Sequence, residues 1–187
     1  MSRGFVKKSH FFLLHVFFGL VWLAVMKRKM DVHFSSATNE WATPPVLYGW
    51  LDSRFHFTLD PCCTHETAKC VKHYTIKENG LSKSWRDETV FMNPPYGREI
   101  GKWVEKAWRE SKDGATVVCL IPARTDTKWW YKYCTKAAEI IFLVGRVKFY
   151  QNGVKLKASA PFPSAVVVFK DTQFIGAPKC VWTKLSS

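Results

Sequence analysis

"TVFMNPPYGREIGKWVEKAWRES", residues 89–111, decides how this chain folds. Its first four residues read as a buried strand. The corner that follows, Asn93-Pro94-Pro95-Tyr96-Gly97, cannot continue a sheet, because proline lacks the backbone donor and pushes the residue before it towards extended geometry. Beyond the corner, Ile100, Trp103, Val104, Ala107 and Trp108 recur at intervals of three and four, the apolar stripe of an amphipathic helix. The corner therefore displays its side chains at the end of a strand.

The same alternation runs outward in both directions. Upstream, "FSSATNEWATPPVLYGWLDSRF" turns from polar residues into a helix from about Pro45, with Val46, Leu47, Trp50 and Leu51 on one face. "FHFTLDPCC" predicts a short strand with alternating aromatics that stops at Asp60-Pro61. Residues 64–73 predict a short helix, and "ENGLSKSW" a loop opened by Asn79-Gly80. Downstream, "ATVVCLIPA" suits a central strand, and "TDTKWWYKYCTKA" a helix capped by Thr125 or Asp126. "EIIFLVG" suits another buried strand, while "RVKFYQNG" and "SAVVVF" predict a closing pair. Strands alternating with helices imply an α/β fold with a mostly parallel central sheet and helices on both faces.

The 187 residues, 47% hydrophobic and 23% charged, are those of an ordinary globular protein. A formal charge of +13 favours a polyanionic partner. Part of that excess, Arg3, Lys7, Lys8, Lys27, Arg28 and Lys29, lies before residue 30, where there is no acid. Six cysteines lack the spacing of a disulfide scaffold and read as reduced thiols. In "CCTHETAKCVKH" only Cys70 and His73 have the spacing of a zinc-ligand pair, so no metal is expected. "FFLLHVFFGLVWLAVM", residues 11–26, is shorter than the roughly 20 residues of a membrane span. It has three readings: an anchor, an uncleaved signal, or upstream sequence the working protein does not need. Met30 as a start favours the last. Residues 1–29 are then an extension and 30–187 the working domain, with a membrane partner only if the extension is an anchor.

In open α/β sheets ligands sit outside the carboxyl ends of strands, where Asn93 to Tyr96 fall. The Asn93 side-chain oxygen and the Pro94 carbonyl offer two fixed acceptors, which suit the hydrogens of a planar amine. Tyr96 offers a flat face beside them. Such acceptors favour the pyramidal nitrogen needed for attack, and a sulfonium methyl held in line at about 3 Å would transfer in one displacement.

The string "NPPY" resembles the catalytic motif of amino-group methyltransferases that use S-adenosylmethionine. The ordered series "HFSSATNEWATPP", "FTLDPCC", "NGLSKSW", "VFMNPPYG", "IPARTDTKWW", "FLVGRVKF" and "APFPSAVVVF" is similar to the phage and prophage DNA N-6-adenine methyltransferases, over residues 32–170. This resemblance implies a Rossmann-like class I S-adenosylmethionine-dependent fold. It implies that Asn93, Pro94, Pro95 and Tyr96 hold the target adenine, and that Trp41, Thr43, Pro44, Asp60, Pro61 and Asn79 meet the cofactor. The first strand departs from many methyltransferases in having no glycine-rich loop after it. A flipped adenine in double-stranded DNA is the implied substrate, with Arg124, Lys128, Arg146 and Lys148 as candidate phosphate contacts. The implied setting is the cytoplasm of a bacterial host, with protection against restriction as a family-level role. RNA or protein glutamine as acceptor, or a DNA-binding relative without catalysis, are the alternatives.

Overall fold

The computed structural model describes residues 41–151, 154–171 and 176–184. The apolar run at 11–26, Met30 and the boundary at residue 29 lie outside the described residues. Backbone contacts separate residues 1–38 from 39–187, and the architecture below belongs to the second unit.

Helix α1 (Pro45–Phe55) opens on a proline, whose fixed φ suits a first turn and whose missing N–H has no helical partner to lose. It stops at His56, which adopts a left-handed φ of 55° and donates its N–H to Asp52 O. Leu47 and Leu51 are fully buried, each contributing at most about 1.5–3 kcal/mol. Val46 was expected on the same face but is 62% exposed; it precedes Leu47 by one residue, about 100° around the helix. Arg54 ties α1 to the main sheet through Glu139 at 2.6 Å. With the arginine half exposed, that pair contributes about 1 kcal/mol or less.

Seven strands form the sheet: β1 (Leu59–Asp60), β2 (Lys72–His73), β3 (Thr89–Met92), β4 (Thr116–Pro122), β5 (Glu139–Leu143), β8 (Ser164–Phe169) and β9 (Lys179–Thr183). A separate antiparallel pair is made by β6 (Tyr150–Gln151) and β7 (Val154–Lys155). The main order is β2-β1-β3-β4-β8-β5-β9. Only β8 is reversed, running antiparallel to both β4 and β5. The other six strands share one direction, so their carboxyl ends line one edge. The chain leaves β1 for β2 on one side and returns to β3 on the other, a topological switch that opens a crevice.

Helix α2 (Ile100–Lys112) buries Ile100, Trp103, Val104 and Ala107, as the stripe requires. Helix α3 (Lys128–Tyr133) begins after Thr127 rather than Thr125 or Asp126. The Thr127 hydroxyl donates back to Arg124 O instead of capping the helix. A 3-10 turn, Cys134–Lys136, follows.

Three other expectations are corrected. "SAVVVF" does not pair with "RVKFYQNG": it is β8, inserted between β4 and β5 and buried along its whole length. Residues 64–73 are not helical but turn into β2, because Asp60 folds that loop back by hydrogen bonds. The aromatic alternation before Asp60 is not strand pleating. Phe55 ends α1 and stacks on Phe57 at 6.0 Å, and only Leu59 and Asp60 join the ladder.

Candidate active site

Asp60, at the carboxyl end of β1, is 3% exposed. Its Oδ2 accepts the Lys69 N–H at 3.1 Å and its Oδ1 the Cys62 N–H at 3.4 Å. One carboxylate thus folds the loop over the strand's end, and Thr64 and Thr67 lock it, each N–H donating to the other's hydroxyl. A chain without a glycine-rich loop closes its crevice in this way. Burial pushes the Asp60 carboxyl up, against the two N–H donors that hold it down. Burial also pushes the neighbouring Cys62 thiol well up, which leaves it protonated and no nucleophile.

The opposite wall explains "NGLSKSW". Asn79 takes a left-handed φ of 53°, a conformation that asparagine tolerates better than most residues. A Cβ on Gly80 would stand 2.0 Å from Pro61 O, so only glycine allows this loop to lie against the end of β1. Trp85 fixes the loop from behind: its Nε1–H donates to Gly80 O at 3.0 Å and its backbone N–H to Glu110 Oε2 at 2.6 Å. Its ring stacks on Trp103 of α2 at 6.4 Å.

Asn93 leaves the end of β3 between these walls. Its Nδ2 donates to Trp41 O at 2.5 Å and Thr43 Oγ1 at 3.0 Å. Its Oδ1 accepts the Tyr96 hydroxyl at 2.6 Å. The Tyr96 ring, expected to offer an open face, is instead 8% exposed. Phe149 and Phe162 meet it edge-on at 6.0 and 5.4 Å. Pro94 is buried behind the corner and Pro95 is exposed.

A cavity of about 360 Å³ joins these parts. Trp41, Thr43, Asp60, Pro61 and Asn79 line it, and Asn93 and Pro95 reach it from the corner. Pro44 does not line it: that residue precedes α1, where its carbonyl accepts the Tyr48 N–H. Phe91, Thr75 and Trp103 also line the cavity. Phe91 and Trp103 read in sequence as core, and no local pattern marks Thr75. The volume lies within the usual range for small-molecule sites. An apolar lining that includes Phe91 and Trp103, an amide at Asn79 and carboxylates at Asp60 and Glu66 suit a cationic nucleoside such as S-adenosylmethionine.

Arg124 and Lys128 follow β4, and Arg146 and Lys148 follow β5, at the edge that carries Asn93. All four are exposed, outside the cavity and without a carboxylate partner among the described residues. Among the described residues no helix is long and apolar enough to cross a membrane.

Residues 33–184 match the family described as DNA N-6-adenine-methyltransferase (Dam). The DNA N-6-adenine-methyltransferase of Escherichia phage T1 is 31% identical over 55% of this chain and 44% of its own length. That of Haemophilus phage HP1 is 28% identical over 60% of this chain and 66% of its own. The chain therefore spans less than two thirds of the length of either of these two relatives. A solved structure from Listeria monocytogenes, a candidate class I S-adenosylmethionine-dependent methyltransferase, superposes with a TM-score of 0.38 at 16% identity. It covers 62% of this chain and 42% of that one.

Proposed function

The chain belongs to the DNA N-6-adenine-methyltransferase (Dam) family, and from that premise we propose that it methylates the exocyclic amine of adenine in double-stranded DNA, using S-adenosylmethionine. One observation carries the reading: Asn93 lies on the wall of the same cavity as Asp60 and Asn79, at the topological switch of the sheet.

When bound, the cofactor supplies an electrophilic methyl on a sulfonium sulfur. Asn79, Asp60 and the apolar lining at Phe91 and Trp103 are the residues that would hold it. Trp41 O and Thr43 Oγ1 take both Nδ2 hydrogens of Asn93, which fixes the amide so that its oxygen, with one lone pair on the Tyr96 hydroxyl, is the acceptor for a target. That oxygen accepts a hydrogen from the adenine amine and stabilises the positive charge that grows on nitrogen as its lone pair forms the new N–C bond. The electron pair of the broken C–S bond would stay with the cofactor's sulfur, and the surplus proton of the nitrogen would leave for solvent. Tyr96 swings from Asn93 to stack on the flipped base, a contact of about 1–3 kcal/mol.

The experiment is methyl transfer from labelled S-adenosylmethionine, offered in parallel to unmethylated duplex DNA, RNA and a protein extract. Label in DNA adenine is expected. Label confined to RNA or protein rejects the acceptor, and cofactor binding without any transfer rejects catalysis.

A further inference from the structure

Between Glu139 and Asp171 the chain has no acidic residue and five basic ones. Four of these, Arg146, Lys148, Lys155 and Lys157, lie on or beside the β6–β7 arm, which is no part of the main sheet. Tyr150 pairs with Lys155 across the arm, and the Leu156 N–H donates to Phe149 O one step towards the root. Side chains alternate along such strands. Phe149 and Leu156 therefore turn inward, the first fully buried and the second half-buried, while Lys148, Lys155 and Lys157 turn out with Tyr150 among them. None of these lysines meets a carboxylate among the described residues.

The arm is rooted in the candidate active site. Ala42 and Tyr150 exchange two backbone hydrogen bonds of 3.1 and 2.9 Å. Ala42 lies between Trp41 and Thr43, the residues whose oxygens orient Asn93. Phe149 packs on Trp41 at 5.4 Å and on Tyr96 at 6.0 Å.

We propose that this arm is the duplex-binding element of the enzyme, laying its lysine-bearing face against the phosphates bordering the major groove beside the target adenine. The proposal rests on the DNA-methyltransferase reading and adds where the duplex is held. A two-stranded ribbon fits a major groove about 12 Å wide, and three lysines with no acid nearby supply the charge complementarity. A root shared with Asn93 and Tyr96 puts the held duplex next to the corner that must receive a base.

The test compares the full chain with its Lys148→Ala/Lys155→Ala/Lys157→Ala variant. Affinity for a duplex oligonucleotide and for its single strand is measured over a range of salt concentrations. Methyl transfer and cofactor affinity are measured alongside. The triple variant should keep cofactor affinity and lose about 3 from the slope of log affinity against log salt. Duplex affinity should fall at least tenfold at low salt, and the preference for duplex over single strand should disappear. If the variant also loses cofactor affinity, the three single variants replace it, each expected to lose about 1 from the slope. A wild-type chain that methylates DNA while the variants keep its slope and duplex preference overturns the arm alone. So does a wild-type chain that binds single strands as tightly as duplex. A wild-type chain that transfers no methyl to DNA overturns the function on which the arm depends.

Discussion

The Tyr96 hydroxyl lies 2.6 Å from Asn93 Oδ1 and donates to it, so one of the two lone pairs on that amide oxygen is taken by another side chain of the same corner. Both Nδ2 hydrogens are also engaged, and the Tyr96 ring is closed over by Phe149 and Phe162. In the proposed reaction the target adenine takes a lone pair of Oδ1 as Tyr96 turns to stack on the base.

Two substitutions at Tyr96 separate its hydroxyl from its ring. Tyr96→Phe leaves the half-buried Asn93 and buried Leu120 oxygens with one donor fewer, which should cost about 1 kcal/mol of stability. It should methylate at least as fast as wild type, because the stacking ring is kept and the base no longer shares Oδ1 with a hydroxyl. Tyr96→Ala should lose about tenfold to a hundredfold in kcat/KM, since no ring remains to stack. A Phe variant as impaired as the Ala variant would make the hydroxyl part of the chemistry and contradict the account.

In the proposed reaction Thr43, besides lining the cavity, is a positioning residue that acts through the Asn93 amide. Removing its hydroxyl by Thr43→Val should lower kcat about tenfold, while KM for DNA changes little. Thr43→Ser, which keeps the acceptor for Nδ2, should restore the rate. Equal rates in Val and Ser variants, measured at saturating cofactor, would show that the amide orients itself.

At Gly80, any side chain must push Pro61 away, because the intruding Cβ meets a backbone oxygen at 2.0 Å. Gly80→Ala should cost on the order of 2 kcal/mol in denaturant unfolding. It should also weaken cofactor binding, since Pro61, Asn79 and Gly80 all line the cavity. Unchanged cofactor affinity in a calorimetric titration would separate this loop from the cofactor site.

Burial raises the Asp60 carboxyl above its unfolded value. Between the ordinary aspartate range and that raised value the folded chain holds more protons than the unfolded one. The Asp60 contribution is therefore fully present in acid and is lost as pH rises through the raised value. Asp60→Asn has nothing to titrate, so its stability should fall less steeply than that of wild type over this window. Parallel curves of unfolding midpoint against pH would place the Asp60 carboxyl at its ordinary value.

Periodic elements were legible from sequence. The stripe of α2 and the apolar run of β4 need only local spacing, and both lie where that spacing puts them. β8 was legible as a strand but not in its partners, because an apolar run buried on both faces carries no mark of its neighbours. In the site, Asn93, Asp60 and Asn79 stand out because each ends or breaks an element beside proline or glycine. Pro44, placed with the cofactor by resemblance alone, lies outside the cavity lining and precedes a helix start. The burial of Tyr96 was hidden, since it depends on Phe149 and Phe162, brought over the corner by a later part of the chain.

Digestion of reacted duplex DNA to nucleosides, followed by mass spectrometry, tests the central claim most directly when wild type and Asn93→Ala are run at equal cofactor occupancy. Wild type should yield adenine methylated at its exocyclic nitrogen, and Asn93→Ala, folded and still binding cofactor, should yield at most about one hundredth as much. The same product in equal amount from both proteins would contradict the role given to the Asn93 oxygen.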